Sequence, residues 1–152
     1  IDDTEEAEES IDAAILGNIV HNALYNLFLP LKEKALNIDL LDFKENKIHK
    51  ALQVALKLHF DEGDISYGKN YLIYNVAFTI IERLIKQEKL EIKSDLLNKT
   101  IIKLEEPLGK ELQIQVQEST VTVNIKGKAD RIDRLNNIDT IIDYKTGRTD
   151  EY

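Results

Sequence analysis

A chain of 152 residues with 43% hydrophobic and 32% charged content is long enough for one globular domain with a core, and no apolar run reaches the length of a membrane span. The absence of cysteine excludes disulfides and any cysteine-bound zinc or iron–sulfur cluster within this stretch, which favours a cytoplasmic protein. The net charge of −8 would ordinarily argue against a nucleic-acid partner, but seven acidic residues in the first 12 positions leave only −1 for the remainder, so the overall sign excludes little.

Helical spacing of apolar residues predicts three helices in the first part of the chain. Thr4 and the two glutamates after it can cap the first helix, and Pro30 ends its apolar pattern. His21 lies in the middle of this helix, where a histidine is more often a surface or core residue than a metal ligand. The predicted helices cover residues 4–29, 41–60 and 70–92, with a short helical turn over 31–36 and a loop over 61–64.

Alternating and β-branched residues predict a mostly antiparallel sheet after the helices. Pro107 and Gly109 are expected to form the first turn between strands. The predicted strands are 100–104, 112–116, 121–135 and 138–144. The sequence therefore predicts one α+β domain, helical over residues 1–95, with a sheet and its closing hairpin over 100–147.

The last two predicted strands flank Asn136-Asn137, and asparagine tolerates the positive φ that a two-residue hairpin turn requires. The facing pairs are then Leu135–Ile138, Arg134–Asp139, Ile132–Ile141 and Asp130–Asp143. Arg131 and Asp133 point to the opposite face from Asp130, where they are expected to brace the sheet.

Asp130 and Asp143 lie side by side in this register. Two unit charges about 5 Å apart repel by roughly 3 kcal/mol at an effective dielectric near 20, so a cation is expected between them, or one of them holds a proton. Lys128 and Lys145 form the next facing pair on the same face, which suggests a divalent cation and a phosphate as ligands. Two alternatives stay open: ordinary salt bridges on a solvated hairpin, or a one-residue bulge that breaks the facing pair.

The ends of the sequence suggest part of a longer protein. There is no methionine, the chain opens on Ile1, and it stops at Tyr152, shortly after the predicted hairpin. We therefore expect a truncated domain in which the C-terminal part of the fold is missing.

Three motifs occur in a fixed order along the chain: GNIVH at 17–21, GKADRID at 127–133 and IDYKTG at 142–147. Together they resemble the RecB-like branch of the PD-(D/E)XK nucleases, which includes the nuclease domains of the RecBCD and AddAB DNA-repair complexes and the CRISPR adaptation nuclease. The resemblance runs from the first helix to the hairpin. Ala129 stands where the signature has proline, as is usual in this branch, and the helix and strand that follow the third motif in relatives are absent here.

The resemblance implies metal binding by His21, Asp130, Asp143 and the backbone carbonyl of Tyr144, and catalysis by Lys145 together with Asp130 and Asp143. Glu105 stands where many relatives carry a further acidic residue, with Glu106 as its rival. Lys145 would orient the attacking water or offset transition-state charge, and as a base it would need a lowered pKa.

The implied fold is a restriction-endonuclease-like core, and the implied function is a Mg²⁺- or Mn²⁺-dependent deoxyribonuclease. An exonuclease of DNA repair or recombination is expected, with DNA as substrate, a helicase domain or subunit as partner, and no membrane association. An imidazole ligand favours Mn²⁺, because Mg²⁺ prefers all-oxygen shells. The alternative is a nuclease fold without cleavage, serving as scaffold or DNA-binding module of a helicase complex; the fragment itself can be inactive because relatives extend further.

Overall fold

The computed structural model describes residues 13–59, 68–94 and 98–146. Within these ranges, three helices precede a three-stranded antiparallel sheet of order β1-β2-β3, so the predicted α+β class is confirmed. The elements are α1 (Ala13–Phe28), a 3₁₀ turn (Leu29–Leu31), α2 (Glu45–Lys57), α3 (Gly68–Ser94), β1 (Lys99–Val116), β2 (Ser119–Leu135) and β3 (Ile138–Ile142).

Helix α1 is the centre of the hydrophobic core. Its buried residues recur at helical spacing and pack against α2 and α3: Leu16, Ile19, Val20, Ala23, Leu24, Leu27 and Phe28. By length and composition the span Ala13–Leu31 could cross a membrane, so the expectation that no apolar run is long enough was wrong. Seven residues of α1 are buried in the core, and core helices of globular proteins can have this length and apolar composition.

The first predicted helix ends at Phe28, and Pro30 lies inside the 3₁₀ turn that follows. The predicted capping residue Thr4 lies outside the described residues. The helical turn predicted over 31–36 was wrong, because this segment runs beside β1 instead. Glu33, at φ 63°, donates its backbone N–H to the Ile101 carbonyl at 2.8 Å, and Leu36 N–H bonds the Lys99 carbonyl at 2.8 Å.

Helix α2 begins at Glu45, four residues after its predicted start. The Asn37 side chain accepts the Leu40 N–H at 2.8 Å, which stabilises a turn where the helix had been expected to begin. Phe60 and the predicted loop over 61–64 lie outside the described residues. Helix α3 contains the whole predicted range and extends it to Gly68 and Ser94.

The prediction of two strands separated by a turn at Pro107 and Gly109 was wrong. β1 is continuous over 18 residues, with one irregularity in register between Ile101 and Lys103. Proline is compatible with this position because β1 lies at the edge of the sheet. The chain instead turns at 117–118, where Gln117 has φ 56°.

The predicted second hairpin is confirmed. Asn136 and Asn137 have φ 46° and 69°, as a two-residue turn requires. The facing pairs observed include Leu135–Ile138, Arg134–Asp139 and Ile132–Ile141, and the ladder ends at Arg131–Ile142. β3 is therefore two residues shorter than predicted, and residues 143–146 continue beyond it without ladder pairing.

Successive side chains of β2 alternate between two environments. Ala129, Arg131 and Asp133 are buried, on the face that the helices cover. Asp130 and Ile132 point to the other face. Farther from the core, residues 107–128 form a two-stranded ribbon that is exposed on both faces apart from the half-buried Leu112.

Candidate metal centre

His21 on α1 reaches the hairpin with both ring nitrogens. Its Nδ1 lies 3.2 Å from Asp130 Oδ1, and its Nε2 donates to the backbone carbonyl of Tyr144 at 3.0 Å. Its ring also contacts the Tyr144 ring edge to face. The helix places His21 there because Ile19 and Val20 beside it are buried in the core, which fixes the rotation of α1.

Asp130 is held from two sides. Besides its contact with His21, its Oδ2 accepts the backbone N–H of Tyr144 at 2.7 Å. The side chain of Asp130 is only 11% exposed. The Tyr144 peptide groups therefore connect both predicted ligands, with the N–H bound to Asp130 and the C=O bound to His21.

Glu105 completes a cluster with these two residues. Ligand atoms of His21, Glu105 and Asp130 all lie within 4.8 Å of one another, and all three residues are half-buried. Glu105 has φ 53°, a backbone conformation that is uncommon for a residue other than glycine. The rival residue Glu106 instead pairs with Lys103, so the structure brings Glu105 rather than Glu106 to the cluster.

Asp143 and Lys145 lie beside this cluster on the segment after β3. Lys145 hydrogen-bonds Asp143 and thereby lowers the pKa of that carboxyl. The predicted facing pair of Asp130 and Asp143 lies just beyond the last observed ladder pair, Arg131–Ile142, and is not part of the ladder. The hydrogen bond with Asp143 also raises the pKa of Lys145, which is 65% exposed, so the ammonium form of Lys145 is favoured.

The predicted pair of Lys128 and Lys145 does not form a joint cationic site. Lys128 contacts Glu105, and Lys145 contacts Asp143. The salt-bridge alternative therefore describes the two lysines, because each neutralises a carboxylate of the site. It does not account for the convergence of His21, Glu105 and Asp130 on one point.

Arg131 and Asp133 brace the sheet from its covered face, as predicted. Arg131 donates to both Asp133 oxygens, and its Nη2 also donates to Glu88 on α3 at 3.1 Å. Its Nη1 lies 3.4 Å from the Tyr144 hydroxyl. Sequence reasoning did not find Glu88, Lys99 or the Tyr144 hydroxyl, because the contacts join elements far apart in the chain.

Comparison with known families decides the assignment. The family model described as the PD-(D/E)XK nuclease superfamily matches residues 1–152, which is the whole chain. The chain belongs to the PD-(D/E)XK nuclease superfamily. No curated protein and no solved structure matches it. The three helices and the antiparallel sheet are consistent with the restriction-endonuclease-like fold of this superfamily.

PD-(D/E)XK nucleases generally use divalent metal ions, and the donor set of this chain fits one. Carboxylate and carbonyl oxygens are the ligands that Mg²⁺ and Mn²⁺ prefer, and imidazole is accepted by Mn²⁺. His21, Glu105, Asp130 and the Tyr144 carbonyl could therefore hold such an ion, with Asp143 adjacent.

Proposed function

We propose that this PD-(D/E)XK chain is the nuclease domain of a RecB-like DNA nuclease that hydrolyses phosphodiester bonds with Mg²⁺ or Mn²⁺. The observation that carries the proposal is the convergence of His21, Glu105 and Asp130 within 4.8 Å, next to Asp143 and Lys145. A structural salt bridge would not require a third ligand-bearing group from a separate helix at the same point.

His21, Asp130, Asp143, Glu105 and the Tyr144 carbonyl would hold the ion. A bound divalent ion supplies polarisation of the phosphate and a water of lowered pKa. The mixed donor set with one imidazole favours Mn²⁺ over Mg²⁺.

Lys145 contributes its ammonium group. Its contact with Asp143 keeps it charged and directs it to the edge of the cluster, where it can bind a phosphoryl oxygen or orient the attacking water. Half of the Asp143 side chain is exposed, so a phosphodiester can approach both residues from solvent.

The wider assignment rests on the resemblance of the three motifs to the RecB-like branch. It comprises exonuclease action in DNA repair or recombination, DNA as substrate, a helicase domain or subunit as partner, and a cytoplasmic location.

A fluorescent-DNA degradation assay with Mn²⁺ tests cleavage on this chain and on the longer protein that contains it. We expect Asp143→Ala and Lys145→Ala to lower the rate of the active form by at least about a hundredfold. Asp139→Ala on the same hairpin and Lys57→Ala on α2 are the matched controls, because both residues are outside the cluster.

Unchanged cleavage in Asp143→Ala or Lys145→Ala would refute the catalytic assignment. Full Mn²⁺ binding without cleavage by either form of the protein would instead support the non-cleaving scaffold or DNA-binding module.

A further inference from the structure

The two metal-ligand candidates from opposite parts of the chain share one anchor, the Tyr144 peptide. Its N–H holds Asp130 at 2.7 Å, and its carbonyl holds His21 at 3.0 Å. Residues 143–146 have no strand pairing to fix their position. Something other than the sheet ladder must therefore set where the Tyr144 peptide lies.

The Tyr144 side chain is the group that enters the core. Its ring packs against the hydrophobic cluster, and its hydroxyl faces Arg131 Nη1 at 3.4 Å. The hydroxyl oxygen accepts this hydrogen bond from the Arg131 guanidinium.

Arg131 is itself fixed from three directions. It makes the two-pronged contact with Asp133, it donates to Glu88 on α3, and its guanidinium lies 4.6 Å from the centre of the Phe28 ring on α1. No part of Arg131 or Asp133 is exposed to solvent. A planar guanidinium held in this way presents Nη1 to Tyr144 in one geometry.

We propose that Arg131 is a positioning residue that acts through the Tyr144 hydroxyl to hold the Tyr144 peptide, and through it Asp130 and His21, in the arrangement that binds the metal ion. This inference rests on the proposed function, since it concerns the same site. Arg131 and Asp130 are adjacent on β2 and point to opposite faces. The metal-ligand candidate and the residue that positions it are therefore neighbours on one strand.

Tyr144→Phe is the primary test because it keeps the ring and the backbone and removes only the hydroxyl. We expect the dissociation constant for Mn²⁺, measured by calorimetry, to rise on the order of tenfold, as for other residues that orient metal ligands. Exchange of the residue 144 amide proton with solvent, measured without metal, should become faster because the hydrogen bond to Asp130 is less well held. Tyr74→Phe is the matched control, because that hydroxyl also hydrogen-bonds a histidine, His49, outside the cluster.

Arg131→Lys keeps the positive charge for Asp133 and Glu88 but loses the planar fork. If Arg131 acts through the Tyr144 hydroxyl, the two losses of Mn²⁺ affinity do not add. The double variant Arg131→Lys/Tyr144→Phe then has the same Mn²⁺ affinity as the single variant with the lower affinity. Where Arg131→Lys does not fold, Tyr144→Phe and its amide exchange still decide the question.

Equal Mn²⁺ affinity in Tyr144→Phe and the unsubstituted chain would overturn this inference alone. An additive double variant, or equal loss of affinity in Tyr74→Phe, would also overturn it. Absence of Mn²⁺ binding by the unsubstituted, folded chain would instead refute the proposed function, while faster amide exchange in Tyr144→Phe would still support the role of Arg131.

Discussion

Glu88 is the residue whose charge links helix α3 to the site strand. It accepts hydrogen bonds from Arg131 at 3.1 Å and from Lys99 at 2.8 Å. Burial opposes its ionisation, but the two cations outweigh burial and lower the pKa of this carboxyl. Because the pKa of Glu88 is lower in the folded than in the unfolded chain, its ionised carboxylate stabilises the fold. This stabilisation is present above about pH 4.5 and is lost as pH falls through the folded-state pKa.

Glu88→Gln should therefore lower the free energy of unfolding at pH 7 by about 3 kcal/mol, because it leaves the charge of Arg131 and Lys99 less well compensated. Below pH 4 the difference from the unsubstituted chain should narrow. Urea denaturation at pH 7 and pH 3.5 measures both values, and Glu82→Gln on the exposed side of α3 is the control. If Glu88→Gln lowered the free energy of unfolding equally at both pH values, the stabilising role of the ionised Glu88 carboxylate would be contradicted.

The residues with ligand chemistry could be predicted from the sequence because they lie in short motifs. The placement of Asp130 and Asp143 at the same end of the hairpin follows from the two-residue turn, although the observed ladder ends one pair before them. His21 required the family resemblance, because helical spacing does not show where a helix face points. The support by Glu88 and Lys99 could not be predicted, because it depends on how α3 packs against β1 and β2.

Helix α1 and the segment after β3 approach each other at Gly17. A Cβ atom built on Gly17 would lie 3.1 Å from Thr146 Oγ1, which is closer than most Cβ contacts in proteins. The close contact with Thr146 explains why a glycine occupies position 17 inside a core helix, although alanine has a helix propensity more favourable by up to about 1 kcal/mol. The close approach brings residues 143–146 to the side of α1 that carries His21.

Gly17→Ala should lower Mn²⁺ affinity several-fold while the melting temperature stays the same or rises. The methyl group displaces Thr146 and the residues before it, whereas the helix itself gains propensity. Calorimetry and thermal unfolding measure the two effects. The double variant Gly17→Ala/Thr146→Ala removes the contacting oxygen and should restore affinity; unchanged affinity in Gly17→Ala alone would contradict the argument.

β1 combines a buried end with an exposed end in one strand. Ile101 is fully buried, and Ile114 on the ribbon is 46% exposed. Ile101→Thr should lower the free energy of unfolding by roughly 3 kcal/mol, because it loses apolar burial and places a hydroxyl in the core. Ile114→Thr should change it by less than about 0.5 kcal/mol. If urea denaturation showed similar losses of unfolding free energy in the two variants, the exposure of the ribbon at Ile114 would be contradicted.

The wrong prediction of two strands with a turn between them, where β1 is one continuous strand, has a physical cause. Proline and glycine at 107 and 109 are typical turn residues, and local sequence gives no sign that the chain continues straight through them. The edge position of β1 removes the penalty for proline, but edge position is a property of the sheet rather than of the residues. The class of the fold, the helix count and the second hairpin depend on longer patterns and were predicted correctly within the described residues.

At the scale of the whole molecule, net charge is a poor guide to this site. Seven acidic residues supply most of the −8 and lie within the first 12 positions, outside the described residues. Around the cluster, His21, Lys128 and Lys145 lie against Asp130, Glu105 and Asp143 respectively. Acidic groups at the centre with lysines at the edge are the arrangement that a cation and a phosphate require together.

The most direct measurement is the anomalous diffraction of crystals of this chain soaked with Mn²⁺. We predict one strong peak bounded by His21, Glu105, Asp130 and the Tyr144 carbonyl, absent from crystals of Asp130→Asn and retained in Asp139→Asn. A peak elsewhere on the molecule, no peak in crystals that diffract well, or a peak undiminished in Asp130→Asn would contradict the metal centre.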